Sequence, residues 1–178
     1  EGDRVLVVSE NGYDDNEEPG YKGGLLIVDA STGKMEQELA LPWKHSEVDA
    51  RGDEAIVTNN DGNSVSLVNL ETGDYEVVAL GSAAESLAVN DEGTLYIANR
   101  LGGSTIVTTD SEELDSPGWP VGLAYSPSFD QIFAYNMLGS SVDVIDASSN
   151  ELLKTYDLGI EDANSDALAS SAFDETHQ

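Results

Sequence analysis

Cysteine is absent from the chain, which excludes disulfides, thiolate metal sites and cysteine nucleophiles and leaves the redox compartment open. Basic side chains are scarce. Seven Lys and Arg stand against 35 Asp and Glu in 178 residues, a formal net charge of −28, far beyond the magnitude of roughly 2–8 usual for a small domain. Such a charge excludes nucleic acid and an anionic bilayer as natural partners, because both carry the same sign. The longest apolar stretch, around Leu25–Val28, falls far short of the roughly 20 residues of a membrane span, so direct membrane insertion is not expected. His45 and His177 are the only histidines, and no G-x-S-x-G elbow accompanies them to build a nucleophilic triad. Ser46 adjoins His45 on an incipient strand, where successive side chains point to opposite faces. A Walker lysine loop, a dinucleotide fingerprint and a haem attachment motif are also missing. Gly23–Gly24 and Gly102–Gly103 read as tight turns. The chain opens at Glu1 with neither Met nor a signal segment, which reads as a processed or excised product.

What is present is enough for a core. Apolar residues make up 39% of the chain and proline only five positions, the composition of a folded domain of ordinary size. The carboxylates are spread over turns and outward strand positions and form no tail. A carboxylate surface stays hydrated at high salt, and the salt screens its self-repulsion. This is the composition of a protein from a salt-loving organism; an acidic extracellular protein from an ordinary or marine source is the other reading.

The chain repeats itself about every forty residues. Glu54–Leu80 reads as three short strands, Ala55–Asn59, Ser64–Asn69 and Asp74–Leu80, joined by turns at Asn60–Asn63 and Glu71–Gly73. Each run alternates apolar with polar residues or is rich in Val, Ile and Tyr, and Gly, Asn and Asp bound each one. The pattern recurs in Arg4–Glu10 with Leu25–Leu41, in Thr94–Arg100, and in Gln131–Asn136 with Ser141–Gly159. Gly33 and Gly73 lie 40 apart, and Asn59, Asn99 and Asn136 are separated by 40 and 37. A fourth strand precedes each unit: Ser46–Ala50, Glu85–Asn90, Val121–Ser126 and Asp166–Phe173. No stretch carries sustained helical periodicity. Four short antiparallel strands per forty residues is the period of a propeller blade. The expected fold is therefore all-β, a β-propeller of four-stranded antiparallel blades. About four blades fall in this chain, approximately 1–50, 51–90, 91–126 and 127–178, in a single propeller domain or part of one.

The pairing of Ala55–Asn59 or Leu95–Asn99 with an apolar strand, then the D/N-x-x-T-G turn of Asp29–Gly33 and Asn69–Gly73, then Trp119–Pro127, resembles the YVTN-type β-propeller repeat. The resemblance covers nearly the whole chain. The third unit departs from it, because the turn is lost between Thr105 and Pro117, which implies a short or irregular outer strand there. Proteins with such repeats include archaeal surface proteins, periplasmic binding or scaffold proteins, lactonases and propeller subunits of redox enzymes. The resemblance thus implies a place outside the cytoplasmic membrane: extracellular, cell surface or a periplasm-like space. The chain starts at the second strand of one blade and stops after the innermost strand of another. Asp166–Phe173 can therefore pair with Arg4–Glu10 and close a four-blade ring, or the chain is part of a larger propeller that two copies would complete.

In propellers the links between second and third strands share one face with the links from outermost to next innermost strand. That face would gather Trp43, His45 and Trp119 with the long insertion Asn11–Gly24, which carries Tyr13 and Tyr21. Tryptophan offers contact area at low entropy cost and favours interfaces, and extra loop length in a repeat is where binding is placed. Trp43, His45, Trp119, Tyr13 and Tyr21 are thus the candidate partner-binding residues; each Trp packed under its own loop is the plainer reading. Asp14, Asp15, Glu17 and Glu18 lack the alternate-residue pattern of a calcium loop and read as a solvated tip. Asp162, Asn164 and Asp166 do alternate, which would point three oxygens at a hard cation such as Ca²⁺. They depart from the EF-hand loop, with Ala167 in place of its Gly and Phe173 in place of its Glu, and a plain polar loop is the alternative. No catalytic residue and no cofactor beyond that Ca²⁺ follow from the sequence.

The reading is a non-enzymatic binding or scaffold module of a cell-surface, secreted or multi-subunit protein, bound to a protein or other macromolecule through loops on one face. A homodimer or larger assembly would complete the propeller. Two alternatives stand: the propeller portion of a lactonase-like hydrolase or dehydrogenase completed by missing blades or another chain, and a structural repeat in a surface lattice.

Overall fold

The computed structural model describes residues 4–9, 24–41, 45–80, 84–99, 105–108, 113–115 and 118–159. Among them every strand is antiparallel to its neighbour in a simple meander, and the single helical turn is the 3-10 segment Asn60–Gly62. The chain divides into two compact units, Glu1–Ala83 and Ala84–Gln178.

The first unit holds two sheets. One is three-stranded, β1 (Arg4–Ser9), β2 (Gly24–Asp29) and β3 (Met35–Ala40). The other is β4 (His45–Arg51), β5 (Glu54–Asn59), β6 (Ser64–Asn69) and β7 (Tyr75–Ala79). Leu25, Ile27 and Leu41 of the first sheet, with Leu6, Val8 and Leu39, pack on Ala55, Val57, Val68 and Leu70 of the second. Each such large side chain, taken fully out of water, stabilises by about 1.5–3 kcal/mol.

The second unit repeats the arrangement with β8 (Ser86–Val89), β9 (Leu95–Asn99), β10 (Thr105–Thr108) and β11 (Glu113–Asp115), then β12 (Pro120–Ser126), β13 (Gln131–Asn136), β14 (Ser141–Asp146) and β15 (Leu152–Asp157). Ala88, Tyr96 and Ala98 face Leu123, Ile132, Ala134, Ile145 and Ala147. The Tyr96 hydroxyl, buried among them, donates to the Ala147 carbonyl at 2.8 Å and lies 3.0 Å from Asn150 Oδ1; burial pushes its pKa up to about 12. Ser86 Oγ accepts the Leu123 amide at 2.9 Å, which ties the innermost strands β8 and β12 together. The expected weakness of the third repeat is seen in β11, three residues long. Asp166–Phe173, expected to form an innermost strand, lies outside the described residues.

Alternation along each strand gives every sheet two distinct faces. In β1 the leading face carries Val5 and Val7 and the trailing face Leu6 and Val8. The corresponding leading residues are Ala55 and Val57 in β5, and Ile132 and Ala134 in β13; the trailing pair in β9 is Tyr96 and Ala98. In both units the trailing face of the earlier sheet packs on the leading face of the later one.

The D/N-x-x-T-G motif has a physical cause. Asp29 Oδ1 accepts from the Ser31 amide and hydroxyl and from the Thr32 amide at 2.6–2.8 Å, and the Gly33 amide returns to the Asp29 carbonyl. Asn69 Oδ1 does the same with the amides of Glu71 and Thr72, closed by Gly73. Asp146 repeats it with Ser148 and Ser149, closed by Asn150. Gly33, Gly73 and Asn150 have φ of 67°, 76° and 59°, the left-handed region that Gly and Asn tolerate.

The side-chain hydrogen bonds from Ser31 and Ser148, with the backbone amides behind them, hold the Asp29 and Asp146 carboxyls below the ordinary 3.8. Both groups therefore contribute stability that is complete above that value and disappears as pH falls through the lowered folded values. Asn69 shows that an amide keeps the same turn. The double variant Asp29→Asn/Asp146→Asn is thus expected to match the wild-type urea midpoint at about pH 7 and to lose less of it at about pH 2. The difference is small, since both groups are solvent-exposed. Equal acid losses in the two proteins would contradict this account.

Candidate partner-binding end of the last sheet

One end of each sheet carries the link between its second and third strands, and hydrogen bonds bring other loops to it. In the second sheet the Leu80 amide, just past β7, donates to the carbonyl of Asn63 at 2.8 Å. In the last sheet the Leu158 amide donates to Ser140 in the same way at 2.8 Å. There the segment entering β12 joins as well: Leu138 N–H donates to the Gly118 carbonyl at 2.7 Å and Met137 N–H to the Trp119 carbonyl at 3.0 Å. The approach is close. A Cβ on Gly118 would stand 2.5 Å from Asn136 Cβ and 2.9 Å from the Leu138 carbonyl oxygen.

These bonds collect three apolar residues at one end of the sheet. Trp119, at φ 62°, is 36% exposed, and Leu138 and Leu158 are exposed too. A non-glycine residue with positive φ is uncommon and marks a constrained position; here the two hydrogen bonds to residues 137 and 138 hold it.

Beneath this end lies a polar cluster. Buried Asn136 donates from Nδ2 to Asp143 Oδ2 at 2.7 Å and toward Ser141 Oγ at 3.4 Å, and Thr155 donates to Asp143 Oδ1 at 2.6 Å. The second sheet has the neutral version, in which Asn59 Nδ2 donates to Ser64 and Ser66 Oγ at 3.0 Å each. The recurring Asn at the end of the second strand thus pins that strand to the third, directly under the link that joins them. A buried carboxylate is costly unless hydrogen-bonded, and both Asp143 oxygens are.

Of the residues expected to bind a partner, Trp119 is the one whose side chain the structure describes. His45 opens β4, its backbone opposite Asn59 at the corresponding end of the second sheet. Trp43, Tyr13, Tyr21, Asp162, Asn164 and Asp166 lie outside the described residues. Among the described residues no three of His, Asp and Glu gather as metal ligands. Leu138 and Leu158 were not expected. The signal for Leu138 was present, because Met137–Leu138 stands where the second repeat has Asn60–Asp61.

No protein-family model matches the chain, and no curated protein matches it. Solved structures do. Kuenenia stuttgartiensis hydrazine synthase matches with a TM-score of 0.63 at 23% identity, over 74% of this chain and 42% of that one. The β-propeller domain of Myceliophteria thermophila Cps50 (Swd1) matches with 0.63 at 17% identity, over 77% of this chain and 49% of its own. The chain spans less than half the length of either. At these identities the likeness shows the fold alone, and that fold is built of β-propeller blades.

The Gly118 contact generates a prediction. Gly118→Ala overpacks against Asn136 and the 137–138 backbone, and is expected to cost about 1–3 kcal/mol in denaturant unfolding. Gly139→Ala, whose Cβ would meet nothing within 4 Å, is instead strained only by its φ of 96°. The Leu138 amide, followed by hydrogen exchange, is expected to lose protection in Gly118→Ala and keep it in Gly139→Ala.

Proposed function

We propose that the chain is a non-enzymatic β-propeller module that binds a protein partner through the loop end of its blades, centred on Trp119 with Leu138 and Leu158. One observation carries this reading. A link that is Asn-Asp in the second repeat is Met-Leu in the last, and hydrogen bonds from the link to Gly118 and Trp119 hold it beside an exposed tryptophan. Exposed apolar residues gathered on a rigid scaffold mark interaction sites more often than isolated ones do, and tryptophan is the side chain most enriched at binding hot spots.

The net charge of −28 supports a partner engaged by apolar contact in strong salt, where like-charge repulsion is screened within a few ångströms. On the resemblance to YVTN-type repeats, the module belongs to a surface or secreted protein, or to a subunit, outside the cytoplasmic membrane of a salt-loving organism.

The test is chemical crosslinking to a high-salt cell-envelope extract, comparing wild type with Trp119→Ala and Leu138→Ser. A partner captured by wild type and by Val77→Ser, on the outer strand β7, is expected to fall about tenfold or more with either loop variant, the loss typical of an interface hot spot. Far-UV CD checks that the variants are folded. Capture that survives both loop variants would refute this site.

A further inference from the structure

β15 is the last strand of its sheet, and among the described residues no strand pairs with its outer side. All six of its residues are exposed, Leu152 and Leu153 at 51% and Tyr156 at 47%. An edge strand offers unpaired backbone groups to any second strand, and native proteins guard such edges with charge. The other outer strands carry carboxylates: Glu36 and Glu38 in β3, Glu76 in β7, Glu113 and Asp115 in β11. β15 has none before its last residue, Asp157. It carries instead Lys154, one of four lysines in this acidic chain.

The ladder to β14 decides which backbone groups that edge offers. The Leu158 amide bonds the Ser140 carbonyl in the same register that sets Asp157 opposite Ser141 and Thr155 opposite Asp143. Successive residues of an antiparallel ladder turn their N–H and C=O to alternate sides. Lys154 and Tyr156 therefore bond β14, while Thr155 and Asp157 turn their backbone groups outward.

We propose that this edge pairs with the same edge of a second copy, β15 antiparallel to β15 about a two-fold axis at Thr155, so that one sheet runs across two chains. Self-complementarity favours a second copy as the occupant. In this register Lys154 of each chain stands opposite Tyr156 of the other, as a non-hydrogen-bonded pair, the kind whose side chains come closest. The Lys154 ammonium already lies over the Tyr156 ring of its own chain at 4.0 Å, and pairing brings it a second ring of the same cation-attracting kind. Thr155 meets its own counterpart, a favourable cross-strand pair. Sliding the strands by two residues sets Lys154 against Lys154 or Tyr156 against Tyr156, and like charges directly opposite are destabilising. A contact of this isologous kind closes as a dimer. One added strand is a small interface, so the dimer is reversible.

The absence of cysteine makes the register directly readable. Lys154→Cys and Tyr156→Cys chains are mixed under mild oxidation at about 3 M KCl, where repulsion between acidic chains is screened. They are expected to form a disulfide-linked heterodimer, since residues so paired have Cα atoms about 4.5 Å apart, within disulfide range. Either variant alone sets its Cys opposite Tyr or Lys and is expected to give about tenfold less crosslinked dimer, the two Cys being out of reach. In sedimentation at the same salt, wild type is expected to approach twice 18.9 kDa as its concentration rises, and Lys154→Glu to stay at the mass of one chain. Val77→Ser, on the outer strand β7, is expected to associate as wild type does. Should Lys154→Glu lose the wild-type far-UV CD spectrum, Lys154→Ala replaces it. A wild type that stays a single chain at every concentration, a Lys154 variant that associates undiminished, a mixture that yields no heterodimer, or single variants that crosslink as well as the mixture each overturns the proposal. Trp119→Ala is expected to associate as wild type does, so this result and the partner-binding result stand or fall separately.

Discussion

A blade of this protein is a thin sheet with two apolar faces, and neither face can be left to water without cost. Everything else in the architecture follows from covering them. Ala55 and Val57, or Ile132 and Ala134, are small enough or flat enough to receive the larger trailing side chains Leu25 and Ile27, or Tyr96, from the sheet before. A sheet that receives on one face and presents on the other can be repeated indefinitely. That is why one forty-residue pattern recurs along the chain.

Between the faces, polar side chains set the geometry. Asp29, Asn69 and Asp146 satisfy the amides of the turn that sends the third strand into the fourth. Asn59 and Asn136 do the corresponding work at the other end, where the second strand meets the third. Their buried amides are worth little as net hydrogen bonds, since water would supply the same, but leaving their partners unpaired in the core would be costly. They therefore fix which strand ends come together, and hence where the loops project. In the last sheet that placement delivers Trp119, Leu138 and Leu158 to a common end. The surface charge acts on a different level and has no part in choosing the fold.

Much of this was legible before any coordinates. Period-two alternation in Ala55–Asn59 and Gln131–Asn136 identified strands whose observed bounds, Glu54–Asn59 and Gln131–Asn136, differ by at most a residue. The spacing of Gly33 and Gly73 identified the turn, because only a residue tolerant of positive φ ends it. The missing motif after Thr105 identified the irregular outer strand. All of these are local: a strand's alternation and a turn's composition are imposed by neighbours a few residues away. Trp119 was legible as a loop aromatic and Leu138 as the apolar residue standing where the second repeat has Asp61, but Leu158 was not, since it joins that end only through the hydrogen bond from its amide to the Ser140 carbonyl.

From the sequence alone came an all-β chain of blade-like repeats with a strongly acidic composition, and with it the turns and most of the strand ends. Tertiary structure alone decided which of two equally alternating faces is the leading one. Val5 and Val7 differ little from Leu6 and Val8 in composition, yet Leu6 and Val8 join a core while Val5 and Val7 stay exposed. Alternation says that two residues share a face, but only the sheet packed against it says which side is inside.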